Sequence, residues 1–287
     1  MPITAQQREE RKQYVGASDV AGLFGLDPYT TSYNIWCEKT GKLKDEEQNT
    51  SYAEGGNLFE PVVIDWAENT LGPIARDLEL RYNDPNVPLV SHLDGQVIET
   101  EIPVEAKTSG MFGPIPEHWG EEYTDDIPQR VIVQTSAQMM CAGAEKAFVP
   151  VFLGGRGFTM YEVGIDDPDI FQMIADRIGS FWHDNVLKDI PPDDSQPTID
   201  IVKRIIRTPK AIVEVDDADV EEWIMYRQER LKFEKAEKAA LEKVLAQMGT
   251  AEGGRCAIGL VTYFEQHRKA YQVKAASFRV PRFKASK

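Results

Sequence analysis

Cysteine is scarce: three in 287 residues, Cys37, Cys141 and Cys256, far apart and in no CxxC pair. That spacing supports neither a disulfide framework nor a thiolate zinc site, so any metal is expected on oxygen ligands. The four histidines, His92, His118, His183 and His267, fall at no ligand spacing and read as structural. No apolar run reaches the roughly 18 residues of a membrane span, so no membrane partner is expected. The opening MPITAQQREERKQY is polar and lacks the apolar core of a signal peptide, which makes the cytoplasm the expected compartment. Internal repeats and low-complexity segments are also missing.

Positive charge is in deficit overall, 32 Lys and Arg against 47 Asp and Glu, for a net charge of −15. A total of that sign argues against a protein that coats nucleic acid. The charge is segregated, however. Residues 255–287 hold eight basic residues (Arg255, Arg268, Lys269, Lys274, Arg279, Arg282, Lys284, Lys287) against one acid, Glu265; their net of +7 leaves −22 for the rest of the chain. The basic end is therefore a candidate for phosphate contact.

With 42% hydrophobic residues the chain can build a substantial core, as one large domain or a domain with an appendage. Thr4 followed by Gln7 has capping-box spacing and predicts a short polar helix. VGASDVAGLFGLDPYTTSYNIWCEKTG predicts a glycine-rich turn, a short helix, a turn at LDPYT and a second helix ending at Gly41; residues 42–50 follow as a charged loop. Phe59, Val62, Val63 and Trp66 at helical spacing predict a helix stopped by Gly72.

LELRY, LVSHLDG, QVIET and IPVEAKT, each bounded by turn residues, predict strands. QRVIVQTSAQMMCAG predicts a helix, and KAFVPVFLGGRGFTMYEVGI two strands joined at Gly-Gly-Arg-Gly. A helix through IFQMIADRIGSFWHDNVL is expected to stop before Pro191-Pro192. From Asp216 to Met248, Val220, Ile224, Leu231, Leu241 and Leu245 are spaced among Glu and Lys and predict one long amphipathic helix. The expectation is an α/β or α+β core over residues 1–195 and, over 196–287, an appendage of a helix and a basic β-segment.

One constellation carries chemistry. Within IPVEAKT, Ile102, Val104 and Ala106 alternate with Pro103, Glu105 and Lys107, so Glu105 and Lys107 share a strand face, roughly 7 Å apart at their bases. Asp94 ends the preceding strand, and an antiparallel return through GQVIETEIPVE brings it beside Glu105. Two carboxylates at one point repel unless a cation stands between them. Mg²⁺ takes hard oxygen ligands, typically one or two carboxylates with waters and phosphate oxygens. A lysine beside such a site stabilises developing charge, an arrangement suited to phosphodiester hydrolysis. The plain alternatives are an Asp-Gly hairpin turn for Asp94 and a solvated strand face for Glu105 and Lys107.

Asp94 followed by Glu105-Ala106-Lys107 resembles the core of the PD-(D/E)xK nuclease superfamily. VGASDVAGLFGLDPYTTSYNIWCEKTG, GNLFEP, SHLDG, VEAKT, the P-x(5)-Q-x(3)-Q-x(4)-G run from Pro128 to Gly143, and SFWHDNV occur in the order seen in lambda exonuclease-like, YqaJ-type viral recombinases. They cover roughly residues 11–190, and FRVPRF near the end is also similar. The resemblance implies a restriction-endonuclease-like core, a central mixed sheet flanked by helices, and Mg²⁺-dependent 5′-to-3′ digestion of double-stranded DNA from its ends, with Mn²⁺ as a possible substitute. It further implies a trimeric ring, a single-strand annealing protein as partner and, for a phage-encoded chain, the cytoplasm of the host cell.

Carried over by position, Asp94 and Glu105 are the implied metal ligands, aided by the Glu105 strand backbone, and Lys107 the catalytic lysine. Glu60 in GNLFEP and Gln134 match the accessory acid and glutamine. Arg11, seven residues before Ser18, matches the arginine that grips a DNA 5′-phosphate together with a serine. For Glu60 the plain reading is a capping box begun by Asn57; for Ser18 it is a helix cap before Asp19; for Gln134 and Gln138, four apart, it is an exposed helical face. Two other functions compete: an endonuclease of the same fold, and a non-catalytic acidic mimic of DNA.

Overall fold

Residues 5–44, 51–110, 115, 117–165, 169–209 and 211–267 are described by the computed structural model. Thr4 of the expected capping box, and the basic segment from Arg268 to Lys287 with FRVPRF, lie outside them. The chain divides into two units, one through Arg207 and one from Thr208 on.

The first unit begins with α1 (Ala5–Arg11), β1 (Val15–Gly16), a 3₁₀ turn (Ala17–Asp19), α2 (Val20–Leu23) and α3 (Ser32–Lys39). α4 (Ser51–Leu71) leads into β2 (Ile74–Ala75), β3 (Leu78–Arg81), β4 (Leu89–Leu93), β5 (Gly95–Val97), β6 (Pro103–Val104) and β7 (Lys107–Ser109). Then follow α5 (Gln129–Ala142), β8 (Lys146–Leu153), β9 (Gly157–Gly164), α6 (Ile170–Ser180) and α7 (Ile199–Arg204).

Two sheets result. β1, β4 and β3 form a small one, with β1 parallel and β3 antiparallel to β4. The larger runs β2, β5, β6, β8, β7, with β9 on the other side of β8. Its pairings are mixed: β6 and β7 run parallel to β8, the others antiparallel. β6 and β7 are one strand interrupted, since Val104 pairs with Phe148 and Lys107 with Val151 at the same offset. The expected strand IPVEAKT is thus broken at Glu105-Ala106. At that offset the gap falls opposite Pro150, which has no N–H to complete a ladder.

Both faces of the larger sheet are covered, as its parallel part requires. Along β8 the side chains alternate. Ala147, Val149, Val151 and Leu153 pack with Val131 and Met139 of α5, while Phe148 joins the cluster of Ile64 and Ala67 from α4. Each fully buried Val, Leu or Ile contributes about 1.5–3 kcal/mol. α5 also faces away from the sheet, where Ala137 and Met140 meet Val20, Leu23 and Ile178. It is therefore held on two sides, and Gly143 ends it in the left-handed conformation at φ 65°. At Gly95 a Cβ would lie 2.5 Å from Ile74 Cγ2, so glycine is required for β2 to approach β5 directly after Asp94.

Three local expectations change. α4 starts at Ser51 and carries Pro61 inside it, so Glu60 sits in mid-helix rather than in a capping box begun by Asn57. The 3₁₀ turn is capped by Gly16, whose N–H donates to Asp19 Oδ2 at 3.0 Å; Ser18 lies within the turn and does not start a helix. After α6 the chain continues as a π-helical turn, Phe181–Val186, where a plain α-helix was expected.

The division after 195 also moves. Pro191-Pro192 ends a helix without ending the unit, because the next residues are tied to α3. Ser32 Oγ donates to Asp194 Oδ1 at 2.6 Å, Tyr33 N–H to Ser195 Oγ at 3.0 Å and Asn34 Nδ2 to Thr198 Oγ1 at 3.1 Å.

The second unit holds α8 (Asp217–Met248) and the antiparallel hairpin of β10 (Gly253–Cys256) and β11 (Gly259–Thr262). Asp216 caps α8 by accepting from the N–H groups of Ala218 and Asp219. The helix, about 48 Å long at 1.5 Å per residue, was expected to be amphipathic. None of its side chains is buried. Arg227, Glu234 and Lys238 interrupt the row of Val220, Ile224, Leu231, Leu241 and Leu245, so no continuous apolar stripe forms.

Candidate active site

Asp94 stands where the chain passes from β4 of the small sheet to β5 of the large one. Gly95 pairs with Val104, and one step further along this antiparallel register places Asp94 opposite Glu105. The interruption between β6 and β7 has a use here. Glu105 N–H still donates to Phe148 O at 2.9 Å, but the next amide, Ala106 N–H, donates to Asp94 Oδ2 at 2.9 Å. The strand break thereby orients the Asp94 carboxylate.

Glu105 is buried, 4% exposed. Its Oε1 accepts from Lys107 Nζ and from Gln134 Nε2, both at 2.5 Å, and its Oε2 accepts from Gln138 Nε2. Lys107 Nζ also donates to Gln134 Oε1 at 3.0 Å, closing a triangle of Glu105, Lys107 and Gln134. α5 supplies both glutamines from successive turns. A carboxylate this buried needs donors at both oxygens, and here it has them.

Glu60 joins through α4. It lies one turn before Val63 and Ile64, which with Ala67 form the buried stripe of that helix, so the same periodicity turns Glu60 toward the sheet. Burial, with the charges of Glu105 and Asp77, raises its carboxyl above the usual range. Asp94 is pushed further, well above its ordinary value. Burial is the main cause and Glu105 the next, with Glu60 adding to it, against the opposing pull of Lys107 and the Ala106 N–H. Among the described residues, three carboxylates thus act on one another around one ammonium, that of Lys107. The alternative of a simple Asp-Gly turn or a solvated strand face does not describe these residues.

Arg11 and Ser18 belong to a different cluster. Arg11 Nη2 lies 3.6 Å from Asp19 Oδ1 and its Nε 3.7 Å from Glu38 Oε1. Asp19 Oδ2 also accepts from Lys39 Nζ at 2.8 Å, and the Lys39 side chain is wholly buried. Burial pushes the Asp19 carboxyl up, but Lys39, Arg11 and the Gly16 N–H together overcome it and hold the group below the usual range. Ser18 is exposed beside this network. Val15 pairs with Leu89 and Gly16 with Val90 in parallel, so the turn bearing Ser18 leaves β1 in the direction in which β4 runs toward Asp94. The turn packs against β4 and α5. The ion pairs of Arg11 run to Asp19 and Glu38, not to Asp94 or Glu105.

Sequence reasoning undervalued Gln138, expected on an exposed face and found 1% exposed on Glu105. Its signal was the four-residue spacing from Gln134. Asp19 and Lys39 were missed as partners of Arg11; twenty residues apart, they show no pairing signal in the sequence. Among the described residues no three His, Cys, Asp or Glu side chains form a ready metal cage, and no helix is long and apolar enough to cross a membrane.

Comparison with known proteins bears on the same residues. Residues 8–145 match the family model described as the YqaJ-like viral recombinase domain. The chain is 29% identical over 182 residues to the uncharacterized protein YqaJ of Bacillus subtilis (strain 168), an alignment covering 62% of this chain. It spans about half the length, 55%, of that curated relative. Among solved structures it is similar to an alkaline exonuclease, LHK-Exo, from Laribacter hongkongensis, with a TM-score of 0.50 and 15% identity over 65% of this chain and 94% of the other. LHK-Exo in complex with dAMP also gives 0.50, at 17% identity over the same shares. At these identities the structural likeness is one of fold: mixed sheets flanked by helices. The likeness to YqaJ-type recombinases read from the motifs is borne out.

Proposed function

We propose that this chain is a divalent-metal-dependent deoxyribonuclease that digests double-stranded DNA from its ends, 5′ to 3′, leaving a 3′ single strand for annealing. The observation that carries the reading is the imbalance at Glu105. Asp94, Glu105 and Glu60 interact around one lysine, and Asp94 holds its proton well above the ordinary range. Such a site has a deficit of positive charge that a cation would fill. The similarity to a YqaJ-like recombinase domain and to the fold of an alkaline exonuclease supports DNA as the substrate.

The donor set fits Mg²⁺, with Mn²⁺ as a substitute: two carboxylates from different strands, no thiolate or imidazole, and room in the ligand count for water and phosphate oxygens. Asp94 and Glu105 would hold it, with the Glu105 strand backbone assisting. When bound, the ion supplies Lewis-acid stabilisation of the scissile phosphate.

The protein side chains do the rest. Lys107 places its ammonium next to Glu105, where it stabilises charge developing on the reacting phosphate. Gln134 accepts from Lys107 and donates to Glu105, which fixes the two charged groups relative to each other. Glu60, its carboxyl raised above the usual range by burial, keeps a proton to higher pH than an ordinary glutamate and so is suited to proton transfer. Arg11, with Ser18 exposed on the adjacent turn, offers a guanidinium fork to a terminal 5′-phosphate, which carries more charge than an internal one. The trimeric ring and the annealing partner rest on the family resemblance.

Linear duplex labelled at its 5′ ends, given Mg²⁺, should release label as mononucleotide; a chelator should stop the release, and a closed circular duplex should remain intact. Nicking of the circle would favour an endonuclease. Absence of any chelator-sensitive digestion would overturn the nuclease reading.

A further inference from the structure

Gln138 is an uneconomical choice for its position. The side chain is 1% exposed in the middle of α5, next to Met139, and its Oε1 has no hydrogen-bond partner among the described residues. A buried carbonyl without a partner costs folding free energy that a methionine of similar volume would avoid. Among the described residues the carboxamide makes one bond, from Nε2 to Glu105 Oε2. That orientation is fixed, because turning the amide over would set its oxygen against the carboxylate.

The donors on Glu105 are also not equivalent. Lys107 and Gln134, both on Oε1, are partly exposed, on the side a substrate can reach. Gln138 grips Oε2 from the buried side. When solvent-side partners rearrange around an incoming phosphate, Gln138 is the donor that stays. Groups behind a ligating carboxylate set its direction and basicity, and their loss typically weakens metal affinity 10- to 100-fold.

We infer that Gln138 is a positioning residue, holding the Glu105 carboxylate in the orientation that a divalent cation requires. The inference rests on the metal reading above. It predicts a defect in metal affinity rather than in the chemical step.

The test uses the full chain and Mn²⁺ alone as probe, with binding read from loss of the free-ion electron paramagnetic resonance signal. Gln138→Met should bind Mn²⁺ at least about tenfold more weakly than the unmodified protein. The Mg²⁺ concentration for half-maximal DNA digestion should rise by a similar factor while kcat at saturating Mg²⁺ recovers. Equal Mn²⁺ affinity in a folded Gln138→Met protein overturns the inference and leaves the metal reading intact. An unmodified protein that takes up no Mn²⁺ overturns both. Should the methionine variant not fold, Gln138→Asn, one methylene too short to reach Glu105, carries the same expectation. Failure of both to fold, or loss of kcat with no change in metal affinity, assigns Gln138 a structural role and overturns the inference.

Discussion

Asp19 and Asp94 are both drawn out of water in the same unit, and their carboxyls move in opposite directions. Asp19 has Lys39 at 2.8 Å, Arg11 at 3.6 Å and the Gly16 N–H at 3.0 Å, which together hold it below the usual range despite burial. Asp94 has one backbone donor, Ala106 N–H, and shares Lys107 with two other carboxylates, so burial wins and the group is raised. One cluster is balanced; in the other, among the described residues, three carboxylates share the one charge of Lys107. The difference separates a balanced ion-pair network from a cluster of acids that share one lysine, though both hold acids withdrawn from water beside basic residues.

The largest contrast should appear in activity. Lys107→Ala or Glu105→Gln removes a member of the unbalanced cluster, and since electrostatic stabilisation of this kind is worth several kcal/mol, digestion of linear duplex should fall by about 10³-fold. A steady-state assay on a folded variant checks it. Near-normal digestion by either variant would dissolve the distinction between the clusters.

Stability should show the reverse ranking. Asp19→Ala leaves the Lys39 ammonium buried without its main partner, and breaking such a pair costs about 3–5 kcal/mol. Urea unfolding at pH 7 measures it. Because the folded-state pKa of Asp19 lies below the ordinary 3.8, its contribution is present above that value and is lost as pH falls through the lower one. A loss of stability that persists unchanged in strong acid would mean the residue acts through packing alone.

The end preference sharpens the comparison further. If Arg11 can turn from Asp19 and Glu38 toward a 5′-phosphate, duplexes with 5′-phosphate should be digested faster than those with 5′-hydroxyl. Arg11→Ala should erase a preference of about tenfold, one charge-assisted hydrogen bond. Equal rates on both ends for the unmodified protein would confine Arg11 to the structural network.

The smallest effect has the opposite sign to that at Asp19. Asp94 is raised above the ordinary 3.8, so the unfolded chain ionises before the folded one, and stability declines as pH climbs from that value toward the folded-state pKa. Asp94→Asn keeps an oxygen for the Ala106 N–H and removes the charge. It should raise the Tm of the metal-free protein at pH 7, an increase that vanishes below about pH 4.

Much of this contrast could be read in the sequence only on one side. Glu105 and Lys107 are two residues apart, and Asp94 precedes a short return, so local spacing exposed the site. α5 showed Gln134 and Gln138 as a pair but not which face was covered, because α5 is packed on two sides and its burial is set by elements far away in the chain. Asp19 and Lys39 meet through the packing of the first turn against α3, which no local pattern encodes. The break in IPVEAKT depends on Pro150 in a neighbouring strand. The expected stripe on α8 failed for a local reason, the charges at 227, 234 and 238.

The central claim is that Asp94 and Glu105 form a cation site, and thermal melting with and without Mg²⁺ at pH 7.5 addresses it most directly. The unmodified protein and Asp19→Asn should both gain Tm when Mg²⁺ is added, since a ion that binds the folded state alone stabilises it. Asp94→Asn should start higher and gain little. An equal Mg²⁺ response in Asp94→Asn and the unmodified protein, or no response in either, would contradict the account.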